Sequence, residues 1–267
     1  MRLLLPAPGH VLVALITAGA FAYAARRVRA LSLSGAVAAT VVGTLLFGFG
    51  GGPGAAALLV FFGTSTALSR FGKRRKSALS FEKGGERDAV QVFANGGVAA
   101  VCAAFLPLFS YSPWLIAALL AALAEANADT WATEVGSLAA APPRLITTLR
   151  PAPTGASGAI SLPGTLAALG GAALIAALAP LWHTTGRVPV VVLAAGFVGA
   201  LFDSLLGATV QAQYRCRVCA RLTEQRTHCE QPTTLARGLP WLNNDVVNMA
   251  ATVFAALVAG VLLAPRH

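Results

Sequence analysis

The sequence predicts an all-α, polytopic transmembrane helical bundle of about eight spans, with both termini on the non-cytoplasmic side. Three observations predict it. Hydrophobic residues make up 56% of the 267-residue chain and charged ones 11%, with a mean hydropathy of +0.70, whereas a soluble domain is typically about a quarter charged. Apolar runs of bilayer-spanning length recur along the chain. Lysine and arginine fall in alternate loops. The 27 glycines and the aromatic share of 7% suit helices packed closely in lipid.

The first run, "GHVLVALITAGAFAYAA", is followed by "RRVRA". A cleavable secretory signal carries its positive charge before the apolar core, so this is read as a first span ending in the cytoplasm. No import signal for an organelle is evident. Seven further runs follow, at about 32–49, 53–69, 89–109, 114–138, 160–181, 189–211 and 245–264. Between the second and third, "GFGGGPG" reads as a tight external turn or a re-entrant break. Every Lys and Arg except Arg2, Arg187 and Arg266 lies in the loops after spans one, three, five and seven. By the positive-inside rule those loops are cytoplasmic. The chain reads as a single membrane domain over 1–267, with a basic loop at 70–88 and a Cys/His loop at 214–240.

The acids follow the same side. Glu82, Glu86, Asp88, Glu224 and Glu230 lie in those loops, and Glu125, Asp129, Glu134, Asp203 and Asp245 in the cytoplasmic halves of spans. Transporters more often place charge near the midplane. A one-sided polar floor points to chemistry on something delivered from the cytosol.

Carboxylates in a span are costly and are usually partnered, hydrated or functional. In "EANADTWATEVG", Glu125, Asp129 and Thr133 share a helix face, while Asn127 and Glu134 point nearly the opposite way. Either the helix unwinds at 127–129, or Asn127 and Glu134 serve a neighbouring helix. In span seven, Gly199, Asp203, Gly207 and Gln211 form a stripe, with Ser204 beside it; a packing seam holding one partnered acid is the plainer alternative. Span eight opens "WLNNDVVNMAAT", where Asn243 or Asn244 can cap the helix but capping does not account for Asn244, Asp245 and Asn248 together. Span four is entered through "EKGGERDAVQVFANGG", whose Lys83 and Arg87 suggest an anion site, with Gln91 and Asn95 on the Arg87 face. Gly155, Ser157 and Gly158 precede span six and offer backbone amides and a hydroxyl, or simply a flexible loop before a serine cap at Ser161. Hard oxygen ligands beside basic groups suit Mg²⁺ with phosphates.

Cys216, Cys219, His228 and Cys229 have the spacing of a Zn²⁺ site. Reduced structural thiols and redox use are the other readings, and the adjacent His228–Cys229 pair suggests that only one of the two ligates. A disulfide is disfavoured in a cytoplasmic loop. Cys102 reads as a small buried apolar residue.

The blocks "EKGGERDAVQVFANGG", "ADTWATEVGS", "GASGAISLPGTLAAL", "GALFDSLLGATVQ", the C-x2-C loop and "WLNNDVVN" occur in this order over about residues 30–264. Together they resemble the integral membrane family that contains human transmembrane protein nineteen and the plant phytyl-phosphate kinase of tocopherol synthesis. The resemblance implies phosphoryl transfer from a nucleoside triphosphate, CTP in the first instance, to an isoprenoid monophosphate. On the matching positions, Asp129 and Asp203 would bind Mg²⁺, assisted by Glu134 or Asp245. Lys83 and Arg87 would neutralise phosphates; Asn95, Asn244 and Asn248 would orient them, with Gly155, Ser157 and Gly158 contributing to the phosphate site. Glu125, Asn127, Gln91 and Ser204 would support these groups. The expected partners are the nucleotide, the lipid phosphate and the bilayer, with no nucleic acid. A CTP-dependent lipid cytidylyltransferase and an ion- or lipid-coupled transporter are the rival expectations.

Overall fold

The computed structural model describes residues 6–71 and 86–265. Its helices are α1 (Pro8–Arg27), α2 (Leu33–Arg70), α3 (Ala89–Phe105), α4 (Pro113–Gly136), α5 (Leu162–Ala176), α6 (Arg187–Thr209) and α7 (Asn244–Leu263), with a 3₁₀ turn at Ala179–Trp182. Each of the eight apolar runs is helical, because α2 supplies two of them. Its 38 residues break at Gly51, at φ 69°, followed by Pro53. Beyond the break the chain returns along itself: a Cβ on Gly54 would lie 2.2 Å from the Leu46 carbonyl oxygen, and one on Gly43 would lie 3.7 Å from Leu58. A residue with a Cβ is disfavoured at such a φ, which is why the reversal falls on glycine. The glycine-rich break expected between spans two and three is therefore a hairpin of two antiparallel arms.

Starts and stops follow local chemistry. Ser32, Asp88, Ser161 and Asn243 cap α2, α3, α5 and α7 by accepting hydrogen bonds from backbone amides three residues on, and proline occupies the first turn of α1, α4 and α5. Among the described residues six helical segments can by length and composition cross a bilayer, with α2 counted once and α5 taken together with the 3₁₀ turn as Leu162–Trp182, whereas α3 has 17 residues. Leu12, Ile16, Val37, Val190, Leu257 and Val261 are exposed apolar side chains on the outer helices, as a lipid-facing surface requires.

Helix α4 is the axis of the bundle: 78% of its most apolar window is buried, against 17% for α1. Its first half, residues 113–124, is apolar on all sides, which suits the interior. Helices α2, α3, α5, α6 and α7 all pack on it. Where α6 crosses it, a Cβ on Gly199 would stand 2.6 Å from Glu125 Cγ, so the small-residue stripe does permit close approach to an acid-bearing helix.

The helix ends sort by charge. At one end, Arg87 backbone atoms bond Ala30 and Ser32, Arg70 Nη2 donates to the Val28 carbonyl at 2.8 Å, and Ala212 N donates to the Leu242 carbonyl at 2.8 Å. This basic end gathers the arginine-bearing loops. At the other, Tyr111 Oη donates to the Phe49 carbonyl at 3.0 Å.

Three small β structures sit at the basic end. Strands β1 (Arg144–Leu145) and β2 (Ala159–Ile160) pair antiparallel. Strands β3 (Gln213–Arg215), β4 (Leu222–Thr223) and β7 (Thr234–Arg237) form an antiparallel sheet in the order β4-β3-β7, and β5 (Thr227–His228) pairs with β6 (Gln231–Pro232).

Candidate active site

Four carboxylates from three elements converge at the basic end. Glu125 and Asp129 come from one face of α4, Asp203 from α6, and Glu224 from the residue after β4. Glu125 lies in the field of Asp203 and Asp129, and Asp203 in that of Asp129 and Glu224. Glu125 and Asp203 are buried, and Asp129 and Glu224 half-buried. Helical spacing brings Glu125 and Asp129 together, one turn apart; the α6 glycines bring Asp203 up to them.

Donors reach only part of this cluster. Glu224 Oε1 accepts from Ser157 Oγ at 2.6 Å and from Gln211 Nε2 at 2.8 Å. Asn248 has its amide between Asn95 and Asp203. In one orientation Nδ2 donates to Asn95 Oδ1 at 3.4 Å; turned over, it donates to Asp203 Oδ2 at 3.0 Å and to the Asn244 carbonyl oxygen at 3.2 Å. Among the described residues, both carboxylate oxygens of Glu125 are buried without a hydrogen-bond partner. A buried carboxylate without donors is strongly disfavoured. Oxygens left this way, beside three further carboxylates, are a donor set that fits a divalent cation.

Glu125 thus stands inside the cluster rather than behind it. Glu224 of the Cys/His loop and Gln211 at the end of the α6 stripe stand there too. The signal for Glu224 is an acid in a loop that carries five arginines; its place after a two-residue strand is not readable from periodicity. Ser204 is half-buried, one position off the Asp203 stripe, and makes no side-chain hydrogen bond among the described residues.

The remaining candidates lie elsewhere. The α4 helix is continuous through 127–129, so its polar residues divide between two faces. Asn127 Oδ1 accepts from Thr64 Oγ1 at 3.1 Å and Ser65 Oγ at 3.5 Å, and its Nδ2 donates to the Gly171 carbonyl at 2.8 Å. Glu134, buried on that same side, accepts from Ser69 Oγ. Arg87 Nη1 donates to Thr66 Oγ1 at 3.0 Å, and its guanidinium lies 5.4 Å from the Phe62 ring centroid. Burial lowers the Arg87 pKa, and the Glu134 carboxylate counters that. At the start of α3, beside the anion site suggested by Lys83 and Arg87, a capping box has Asp88 Oδ1 accepting from Gln91 N at 3.0 Å and Gln91 Oε1 from Asp88 N at 3.2 Å. Lys83 lies outside the described residues. Asp245 is buried in a crevice against α3, lined by Val90, Phe93 and Met249. Gly155 is exposed in a turn at φ 83°, and Gly158, at φ 76°, presses on α6, where a Cβ would lie 2.2 Å from Ala208 N. Gly158 therefore seats its loop so that Ser157 meets Glu224.

An apolar cavity of about 140 Å³ opens between α1, both arms of α2 and α3, walled by Phe21, Val42, Phe47 and Phe62, with Arg87, Gln91 and Asn95 also lining it. Asn95 lies on this wall and neighbours Asn248, whose amide reaches either Asn95 or, turned over, Asp203.

In the loop after α6, Cys216, Cys219, His228 and Cys229 each bring one ligand atom within 4.8 Å of the others. The Cys219 amide, hydrogen-bonded to Cys216 Sγ, is the main cause lowering that thiol's pKa to about 6.

The integral membrane protein family DUF92 matches residues 16–256, nearly the whole chain. The chain belongs to that family. It is 30% identical to Protein PGR of Arabidopsis thaliana over 281 residues, covering 94% of this chain and 96% of the relative. It is also 30% identical to an uncharacterized membrane protein of Synechocystis sp. over 230 residues, 83% of this chain and 78% of the relative. With Protein VTE6, chloroplastic, of Arabidopsis thaliana, it shares 27% identity over 240 residues, 87% of this chain and 65% of the relative. No solved structure matches it. The similarity to PGR spans both the carboxylate cluster and the Cys/His loop.

Proposed function

We propose that the protein is a membrane-embedded isoprenoid phosphate kinase that transfers the γ-phosphoryl group of a nucleoside triphosphate, CTP in the first instance, to an isoprenoid monophosphate. The observation that carries this reading is the convergence of Glu125, Asp129, Asp203 and Glu224, with two buried Glu125 oxygens lacking donors. The similarity to VTE6 and the motif order that resembles the phytyl-phosphate kinase family support the choice of reaction.

Mg²⁺ held by Asp129, Asp203, Glu224 and Glu125 would neutralise charge on the transferring phosphoryl group. An oxygen of the lipid monophosphate attacks the γ-phosphorus, the bond to the β–γ bridging oxygen breaks, and the nucleoside diphosphate leaves. The attacking group is already an anion, so no strong general base is needed; orientation and charge neutralisation carry the catalysis. Asn248, between Asn95 and Asp203, orients the acceptor phosphate. The apolar cavity beside Asn95 takes part of the isoprenoid tail. The positive-inside bias supports an active site facing the cytoplasm.

The test is purified protein with Mg²⁺, each nucleoside triphosphate and a panel of isoprenoid monophosphates, read by mass spectrometry. The expected products are an isoprenoid diphosphate and a nucleoside diphosphate. Release of pyrophosphate would replace the kinase by a cytidylyltransferase, and no turnover with any pair would overturn the reading.

A further inference from the structure

The loop between α6 and α7 has little apolar interior of its own, and loops of that kind are commonly held by a staple such as a metal. Its two short β units bring two ligand pairs together. Cys216 follows β3 and Cys219 lies in the turn to β4; His228 ends β5 and Cys229 lies in the turn to β6. Cys219 Sγ is 3.6 Å from His228 Nδ1, and Cys229 Sγ is 3.2 Å from it. Ligand atoms at the corners of a tetrahedron around zinc stand roughly 3.5–3.8 Å apart, given Zn–S near 2.3 Å and Zn–N near 2.0–2.1 Å. The amides of Val218 and Cys219 point at Cys216 Sγ, at 3.3 and 3.5 Å, the surroundings a thiolate ligand needs. Ala220, Cys229 and Glu230 sit at φ 59°, 51° and 59°. Three residues bearing a Cβ in the left-handed region of one short loop imply that something overrides their local preference.

We propose that Cys216, Cys219, His228 and Cys229 hold one structural zinc ion, which fixes the loop so that Glu224 is delivered to Asp129 and Asp203. All four side chains serve, since one ligand atom of each already lies within 4.8 Å of the rest. Glu224 lies in the stretch between the two ligand pairs. It leaves β4 directly after Thr223, which is fully buried and paired with Tyr214, and its carboxylate is received by Ser157 and Gln211. The second clause rests on the role given above to the carboxylate cluster; the zinc site itself does not.

The experiment uses the full chain, purified in detergent without a metal-affinity step from zinc-supplemented cells. Metal analysis should find about one zinc per chain. Cys219→Ser and Cys229→Ser, both at exposed positions, should each lower it several-fold, while Asp129→Asn keeps it. Removing zinc from the wild-type protein with a high-affinity chelator should speed hydrogen exchange across 213–237 and at 154–159, leaving α1 and α3 unchanged. A wild-type protein without zinc, or undiminished zinc in both cysteine variants, would overturn the site. Unaltered exchange around Glu224 after zinc removal would overturn its delivery. Full zinc with no phosphoryl transfer would sink the proposed reaction and leave the zinc site standing.

Discussion

On one face of α4, Asn127 has its amide oxygen held by Thr64 and Ser65 and its amide nitrogen donating to the Gly171 carbonyl; on the opposite face Glu125 is equally buried, yet neither of its oxygens has a hydrogen-bond partner among the described residues. Both residues sit in the same helix, two positions apart. The difference separates two uses of buried polarity. A satisfied group such as Asn127 ties α2, α4 and α5 together. A carboxylate left without donors beside Asp129, Asp203 and Glu224 stores a cost that a bound cation would relieve. Glu134, taken from the sequence as an assistant to the metal, belongs with Asn127 because Ser69 and Arg87 answer it.

The largest effect should come from the cluster. Asp129→Asn or Asp203→Asn should lower phosphoryl transfer by at least about 100-fold, roughly 2.7 kcal/mol of transition-state stabilisation. The double variant should be little worse than either single one, because the groups act as a unit. Mg²⁺-dependence curves on purified variants measure this, and near-normal turnover in either would remove that residue from the essential set.

Next comes Glu125→Gln, which deletes one of several like charges while keeping the shape. Its melting temperature without divalent cation should rise by a few degrees, on the order of 1 kcal/mol, and the further rise on adding Mg²⁺ should shrink. A fall in both conditions would mean that Glu125 is stabilised as it stands.

Asn127→Leu should show the reverse pattern. Removing the donor to the Gly171 carbonyl and the acceptor of the buried Ser65 hydroxyl should cost about 1–3 kcal/mol of stability, seen in thermal melts, with the Mg²⁺ dependence of activity unchanged. The smallest effect belongs to Glu134→Gln, whose amide oxygen can still accept from Ser69: turnover should change by less than about fivefold, the equivalent of 1 kcal/mol. A shift in Mg²⁺ requirement in either variant would erase the distinction between the two faces.

Much of this was legible from residue spacing. Helical periodicity alone separated Glu125 and Asp129 from Asn127 and Glu134, and the glycines of α6 announced a close crossing near Asp203. Other features needed tertiary contacts. The α3 start read as an anion site because Lys83 and Arg87 are cationic, but Asp88 and Gln91 cap the helix and the Arg87 side chain turns to Thr66 and Phe62. Asp245 and Asn248, three residues apart on α7, looked like one group; Asn248 lies against Asp203, whereas Asp245 enters the crevice beside α3. Glu224 could not be placed by any period, since a two-residue strand carries none and its position depends on how the Cys/His loop folds.

The most direct test of the central claim is manganese binding followed by electron paramagnetic resonance, with purified protein in detergent and no nucleotide. Wild-type protein and Glu134→Gln should bind Mn²⁺ alike, while Asp129→Asn and Asp203→Asn should weaken binding by on the order of tenfold or more, about 1.4 kcal/mol. Binding that survives both aspartate substitutions, or that depends on Glu134 instead, would contradict the assignment of the Glu125–Asp129 face as the cation site.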